Sequence, residues 1–361
     1  MLALTIDSIF IIEKVALILI IILASFGVAA YATWGERKVA AIMQDRIGPL
    51  RAGPFGLLQP LADGGKLFFK EEIIPDRSTR TLFILGPAMF MVTALMTSAV
   101  IPWGPDFYMS IDGVERTIPL QVADINIGIL YIFGVLSLGI YGVMLGGWSS
   151  NNKFSLLSAI RAASQAISYE LAMGLSLIAV LMLTQTLSLR EIVAQQHGFW
   201  DGGYFTWNFF KQPLAFIIFL VCTFAELNRA PFDMPECESE LNFGYHQEYS
   251  SMKLGVYLFA EYINMFISSA VLATVFFGGY NFPWMDQVQA AVPSGLFALI
   301  CVGVLMMKVV GFILFFMFIR WTLPRFRYDQ LLNLGWKGLI PLALVNLIIT
   351  GGVILFFFNK K

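Results

Sequence analysis

The chain has 361 residues, of which 58% are hydrophobic and only 13% charged, and its mean hydropathy is +0.75. Soluble domains average about 25% charged residues, so an ordinary water-soluble enzyme is excluded. The 23 basic and 24 acidic residues leave a formal net charge of −1, which excludes a polybasic nucleic-acid binder.

Eight apolar runs follow one another near 11–34, 82–102, 123–147, 157–183, 214–230, 254–279, 293–319 and 336–358. About 20 residues suffice to cross a ~30 Å hydrocarbon core as a helix. Continuous runs are not the alternating segments of a membrane barrel. The expected fold is therefore all-α: one polytopic membrane domain over 1–361, with about eight transmembrane helices.

Asp7, Glu13 and Lys14 precede or open the first run, and Glu36-Arg37-Lys38 closes it, so it does not read as a cleaved signal peptide. Between runs one and two, inside the polar stretch 35–81, Gln59, Asp63, Lys66 and Lys70 recur at helical spacing. Leu58, Leu61, Ala62, Phe68 and Phe69 fall elsewhere around that helix, which predicts an amphipathic segment lying in the membrane interface. The aromatic loop near 199–210, with Phe199, Trp200, Tyr204, Phe205, Trp207, Phe209 and Phe210, reads as an interfacial belt.

Charges within the runs are the informative residues, because an ionised side chain near mid-bilayer costs at least ~2.5–3.5 kcal/mol and usually faces a cavity. Glu170 sits in the fourth run near the small residues Ala163, Ala166 and Gly174. Glu226 ends the fifth. Glu261 lies in the sixth, in a polar stripe with Tyr257, Asn264 and Ser268. Lys308 lies near the middle of the seventh. The plainer alternative for each is a buried ion pair or a protonated carboxyl bonded to a neighbour. Glu36 and Arg37, likewise, read either as a functional pair or as a snorkelling boundary pair.

The segment Ala225–Tyr249 sets Glu226, Asp233, Glu236, Glu238, Glu240 and Glu248 against a single Arg229, with Phe232, Phe243, Tyr245 and Tyr249 interleaved. Juxtamembrane loops on the inner side favour basic residues, so an acidic, aromatic-laced loop (231–253) suggests a packed reservoir of coupled protons. The segments 35–81, 148–161, 226–253 and 320–337 carry sixteen basic side chains against six on the opposite side, which places both termini outside. Cys222, Cys237 and Cys301 lack C-x-x-C spacing, and His197 and His246 are too few and too distant for a haem or metal pair. No metal of its own is expected.

Five segments carry a resemblance: GERKVAAIMQDRIGP from Gly35, GLLQPLADGGKLFFKE from Gly56, IRAASQAISYELAMG from Ile160, AELNRAPFDMPECESEL from Ala225 and LPRFRYDQL from Leu323. In this order they resemble the H (subunit 1) membrane chain of respiratory complex I, the proton-pumping NADH:quinone oxidoreductase. The resemblance covers essentially the whole chain and is weakest around 104–122 and 184–212. It implies a place where the soluble arm docks, beside a quinone chamber open to lipid. Quinone-binding positions would be Glu36, Arg37, Arg46, Asp63, Lys66, Arg229, Phe232 and Asp233. A glutamate-rich proton path would include Glu170, Glu226, Glu236, Glu238, Glu240 and Glu261.

The same resemblance implies no cofactor bound by this chain and quinone as the substrate of the complex. FMN, NADH and iron–sulfur clusters would lie in partner subunits. The partners would be soluble-arm iron–sulfur subunits and antiporter-like membrane subunits, with no nucleic acid, in a bacterial inner membrane, with an organelle inner membrane as the alternative. The competing expectations are the homologous subunit of a membrane-bound hydrogenase, a deazaflavin- or ferredoxin-linked complex, or a stand-alone cation transporter. A purely structural anchor leaves the mid-membrane acids without a reason.

Overall fold

A computed structural model describes residues 2–111, 114–197, 200–201, 204–236 and 238–358. Helix α1 (Leu2–Met43) is followed by α2 (Gln59–Phe69), α3 (Arg80–Thr97), a hairpin of β1 (Phe107–Ile111) and β2 (Val114–Ile118), and α4 (Gly128–Ser149). Then come α5 (Lys153–Thr184), α6 (Leu189–Gln195), a second hairpin of β3 (Trp200–Asp201) and β4 (Tyr204–Phe205), α7 (Asn208–Lys211) and α8 (Pro213–Glu226). The chain closes with α9 (Glu238–Leu241), α10 (Ser251–Phe276), α11 (Met285–Ala291), α12 (Ser294–Thr322), α13 (Tyr328–Asn333) and α14 (Ile340–Phe358). The last two are joined by a π turn over Leu334–Leu339. The all-α membrane class is what the structure has, with the two small hairpins as its sheet.

Among the described residues, seven helical spans are long and apolar enough to cross a membrane. The eighth expected run is α8, only 14 residues long. At about 1.5 Å per residue it reaches roughly 21 Å, short of a full hydrocarbon core. Several boundaries are corrected. The run near 214–230 stops at Glu226, because Leu227 and Asn228 turn the chain out of the helix. The run near 123–147 begins its helix only at Gly128. Helix α1 extends through both charged flanks of the expected 11–34, so Glu13, Lys14, Glu36, Arg37 and Lys38 are helical residues.

Local chemistry explains the central elements. Asn152 caps α5 by accepting the Phe154 N–H at 3.0 Å, and Gln185 ends it in the left-handed region at φ 54°. Ser155, Ser158, Ala159, Ala162, Ala163 and Ala166 make a buried stripe of small side chains along α5, and neighbouring backbone packs closely there. On α4, Gly139, Gly142 and Gly146 do the same toward α3. A Cβ on Gly142 would stand 2.9 Å from both the Gly86 carbonyl oxygen and the Phe90 nitrogen. The core runs through α5, α8, α10 and α12, where Phe219, Cys222, Phe266, Phe276, Leu305 and Val309 are buried.

Connections meet in two groups. In one, Lys14 donates to the Gln121 carbonyl at 2.8 Å, and Arg190 bridges Asp106 at 2.5 Å and Asp124 at 3.6 Å. In the other, Arg37 pairs Asp63, Lys253 pairs Glu72, Arg161 pairs Glu240, and Asn152 donates to Glu248. The candidate site residues belong to the second group.

Candidate functional site

Glu36 stands seven residues before the end of α1 and is only 5% exposed. An ionised carboxyl so placed needs partners, and it has three. Arg229 donates to Oε2 at 2.7 Å, the Tyr262 hydroxyl donates to the same oxygen at 2.7 Å, and Arg320 from the last turn of α12 takes Oε1. The Arg229 guanidinium also stacks 4.1 Å over the Tyr262 ring. Four elements are thus tied at one buried anion: α1, the loop after α8, α10 and α12. Arg37 does not pair with its neighbour. It bridges Asp63 of α2 at 2.8 Å, and Gln59 donates to the same carboxyl at 3.1 Å. Arg37 and Asp63 are 49% and 34% exposed, and a bridge that wet contributes about 0–1 kcal/mol.

The acidic loop packs over this anchor. Asp233 Oδ1 accepts the Glu236 N–H at 3.3 Å, and Arg325 donates to the Asp233 carbonyl. Burial first, and then the Glu236 carboxylate, push the Asp233 carboxyl up to about 7. Burial likewise raises Glu236, against the lowering pull of Arg229 and Arg320. Glu236 faces His246 Nδ1 at 3.7 Å, while His246 Nε2 faces Glu261 at 3.9 Å. The Tyr245 hydroxyl donates to Glu261 at 3.0 Å. The His246 imidazole is fully buried, and burial pushes it down to about 3. It is neutral at physiological pH.

Deeper in the bundle, Glu226 at the end of α8 lines two adjoining cavities, each of about 20 Å³. A space of that size holds one water. Thr97, Thr223 and Ser268 share the first cavity with it, and Asn228 and Asn264 share the second. Among the described residues its Oε2 has no hydrogen-bond partner. Glu170 accepts from Ser137, one turn below Met173, which lines the first cavity.

Residues 15–351 match the family model described as NADH dehydrogenase. The chain is 60% identical to an H-type subunit of NADH-quinone oxidoreductase from Cytophaga hutchinsonii, over 96% of this chain and 98% of that protein. It is 58% identical to the corresponding H-type protein of Flavobacterium johnsoniae, over 97% of each chain. It is 46% identical to one from Geobacter sulfurreducens, over 96% of each. The chain belongs to the family of H-type membrane subunits of NADH-quinone oxidoreductase.

Within this family member the expected site residues divide. Glu36, Arg229, Asp233, Glu236 and Glu261 converge, with Arg37 and Asp63 beside them. Arg46 and Lys66 are exposed, and Arg46 donates to Gln44 at 2.7 Å. Phe232 is packed between Tyr169 and Phe326, at ring separations of 5.5 and 5.3 Å. Glu240 leaves the cluster for Arg161 at 2.7 Å. The side chain of Glu238 and the whole of Cys237 lie outside the described residues.

Reading the sequence alone missed Tyr262, Arg320, Tyr245, His246 and Gln165. Gln165 is fully buried and donates to the carbonyls of Ala225 and Phe232 at 2.8 Å each, pinning the start of the acidic loop to α5. Its signal was present: an amide on the small-residue face of α5. Tyr262, next to Glu261 but on a different side of α10, carried no such signal.

Proposed function

We propose that this chain forms much of a quinone chamber at the inner rim of the membrane and the first part of a proton path leading away from it. The observation that carries the reading is Glu36, a buried carboxylate held by Arg229, Arg320 and Tyr262 at the meeting point of α1, α10, α12 and the acidic loop. A quinone headgroup that takes up two electrons and two protons passes through anionic states. Arginines fixed at the lipid boundary favour those states, and a packed acidic loop responds to them electrostatically.

Helix α2 supports the chamber wall. Leu61, Phe68 and Phe69 are 72%, 69% and 87% exposed, an apolar face suited to lipid or an isoprenoid tail. Arg37 and Asp63 would line its mouth, with Arg46 and Lys66 further out. The path would run from Asp233 and Glu236 to Glu261, then through the water-sized cavities at Glu226 to Glu170, with Glu238 and Glu240 at its approach. The chain binds no cofactor in this reading. NADH, FMN and iron–sulfur clusters belong to soluble-arm partners, antiporter-like subunits continue the path, and the assembly sits in the bacterial inner membrane.

The test replaces Glu170 or Glu261 by Gln in the whole complex, reconstituted into vesicles. Both variants assemble, and proton pumping coupled to quinone reduction falls by about tenfold or more, since loss of a proton-transfer group costs ~10²-fold or more in rate. Full pumping by both variants overturns the path.

A further inference from the structure

We infer that Glu236, His246 and Glu261 form a binding site for a divalent transition-metal ion of the zinc type. The inference rests in part on the proton path proposed above, because the site lies across it. The ligand atoms of the three side chains all fall within 4.8 Å of one another. His246 is fully buried, and among the described residues neither ring nitrogen has a hydrogen-bond partner. A buried imidazole left bare on both sides is costly, because each unsatisfied polar group forfeits the hydrogen bonds it made in water. A carboxylate oxygen stands near each nitrogen, Glu236 at 3.7 Å from Nδ1 and Glu261 at 3.9 Å from Nε2, both too far to bond.

The chemistry of the set selects the ion. One imidazole and two carboxylates suit a borderline cation such as Zn²⁺, with water in the fourth place, better than Mg²⁺, which prefers oxygen and keeps its hydration. Zinc holds nitrogen and oxygen ligands at about 2.0–2.2 Å, so donors around it stand roughly 3.3–3.6 Å apart. Seating an ion on one ring nitrogen therefore takes a rotation of the imidazole and closure of donors that now lie within 4.8 Å of one another by up to about 1 Å. The surroundings are already arranged for it. Tyr245 donates to Glu261 at 3.0 Å and orients that carboxyl, as an outer-shell partner does. The Tyr245, Phe243 and Tyr257 rings, at 3.9, 5.3 and 5.4 Å, hold the imidazole plane. The nearby cations Arg229 and Arg320 are taken up by Glu36.

A metal seated there stops proton movement through both glutamates at once.

The experiment uses the purified whole complex with ZnCl₂ as the probe. Zinc retained after gel filtration is counted by elemental analysis, its ligands are read by X-ray absorption, and pumping is followed in vesicles. Wild type is expected to retain one more zinc than the His246→Asn variant, with an imidazole in its shell. The zinc concentration that halves each preparation's own pumping rate should rise about tenfold or more in the variant. Glu236→Gln repeats the test should His246→Asn fail to assemble. Equal zinc retention by wild type and both variants overturns the site and leaves the path standing. Zinc held through His246 with pumping unslowed supports the site and overturns the path.

Discussion

Asp233 shows what a single residue gains from its surroundings. Buried beside the Glu236 carboxylate, its carboxyl is pushed from an ordinary 3.8 up to about 7, with Arg325 and Arg320 pulling the other way. A folded value above the unfolded one means that the fold prefers the protonated form. The stability this contributes is complete below about pH 4 and is lost as pH rises through about 7. Asp233→Asn cannot release a proton, so its thermal midpoint should fall less steeply than wild type between pH 4 and 7. Parallel midpoint curves for the two proteins, measured on the purified complex, would refute the assignment. The sequence showed Asp233 as one of a run of acids. Which of them are buried together, and which leave for a cation as Glu240 does for Arg161, depends on how Gln165 ties the loop to α5. Residues sixty or more positions apart make that decision, and no local pattern encodes it.

At the scale of elements, close packing of α3, α4 and α10 depends on missing side chains. A Cβ at Gly146 would collide with the Tyr257 hydroxyl, which donates to the Gly142 carbonyl at 3.0 Å. Overpacking of this kind costs about 1–3 kcal/mol, so Gly146→Ala should lower the thermal midpoint. Gly134 lies on the same helix with nothing within 4 Å of its would-be Cβ. Gly134→Ala should therefore be neutral, or stabilising by up to about 1 kcal/mol through helix propensity. Equal effects at the two sites would show that propensity, and not the contact with Tyr257, governs this helix. The long apolar runs themselves were legible because hydropathy over about 20 residues needs no partner to be read. Their ends were less so. Helix α1 carries its charges inside the helix because Glu36 finds partners on α10, α12 and the acidic loop, and α8 stops early because Leu227 and Asn228 turn away.

Across the whole molecule, α12 is held near both groups of connections by a cation. Arg320 reaches Glu36 at one, and at the other Lys308 donates to the carbonyls of Phe277, Gly279 and Asn281 at 2.7, 2.7 and 2.6 Å. All three ammonium protons are used, and the charge sits at the C-terminal end of α10, where helix carbonyls point. Lys308 also lies 4.7 Å over the Trp207 ring, which joins the aromatic loop to the same corner. It fastens α12 to the turn after α10 through backbone carbonyls, not through the buried ion pair that was the plainer expectation. Lys308→Met leaves those carbonyls without their donor, at about 1–3 kcal/mol for each that stays buried and unpaired. The thermal midpoint of the complex should drop by several degrees, with zinc retention at His246 unchanged. An undiminished midpoint would mean that water replaces the ammonium freely. The amino-acid sequence by itself determined the membrane class, the approximate spans and the set of acids available, because the cost of charge in hydrocarbon is local and additive. Only the tertiary structure decided which acids are neutralised by arginines, which meet a bare imidazole and which border a water-sized cavity. Those outcomes depend on distances between helices far apart in the chain, and electrostatic and hydrogen-bond energies change over a few ångströms.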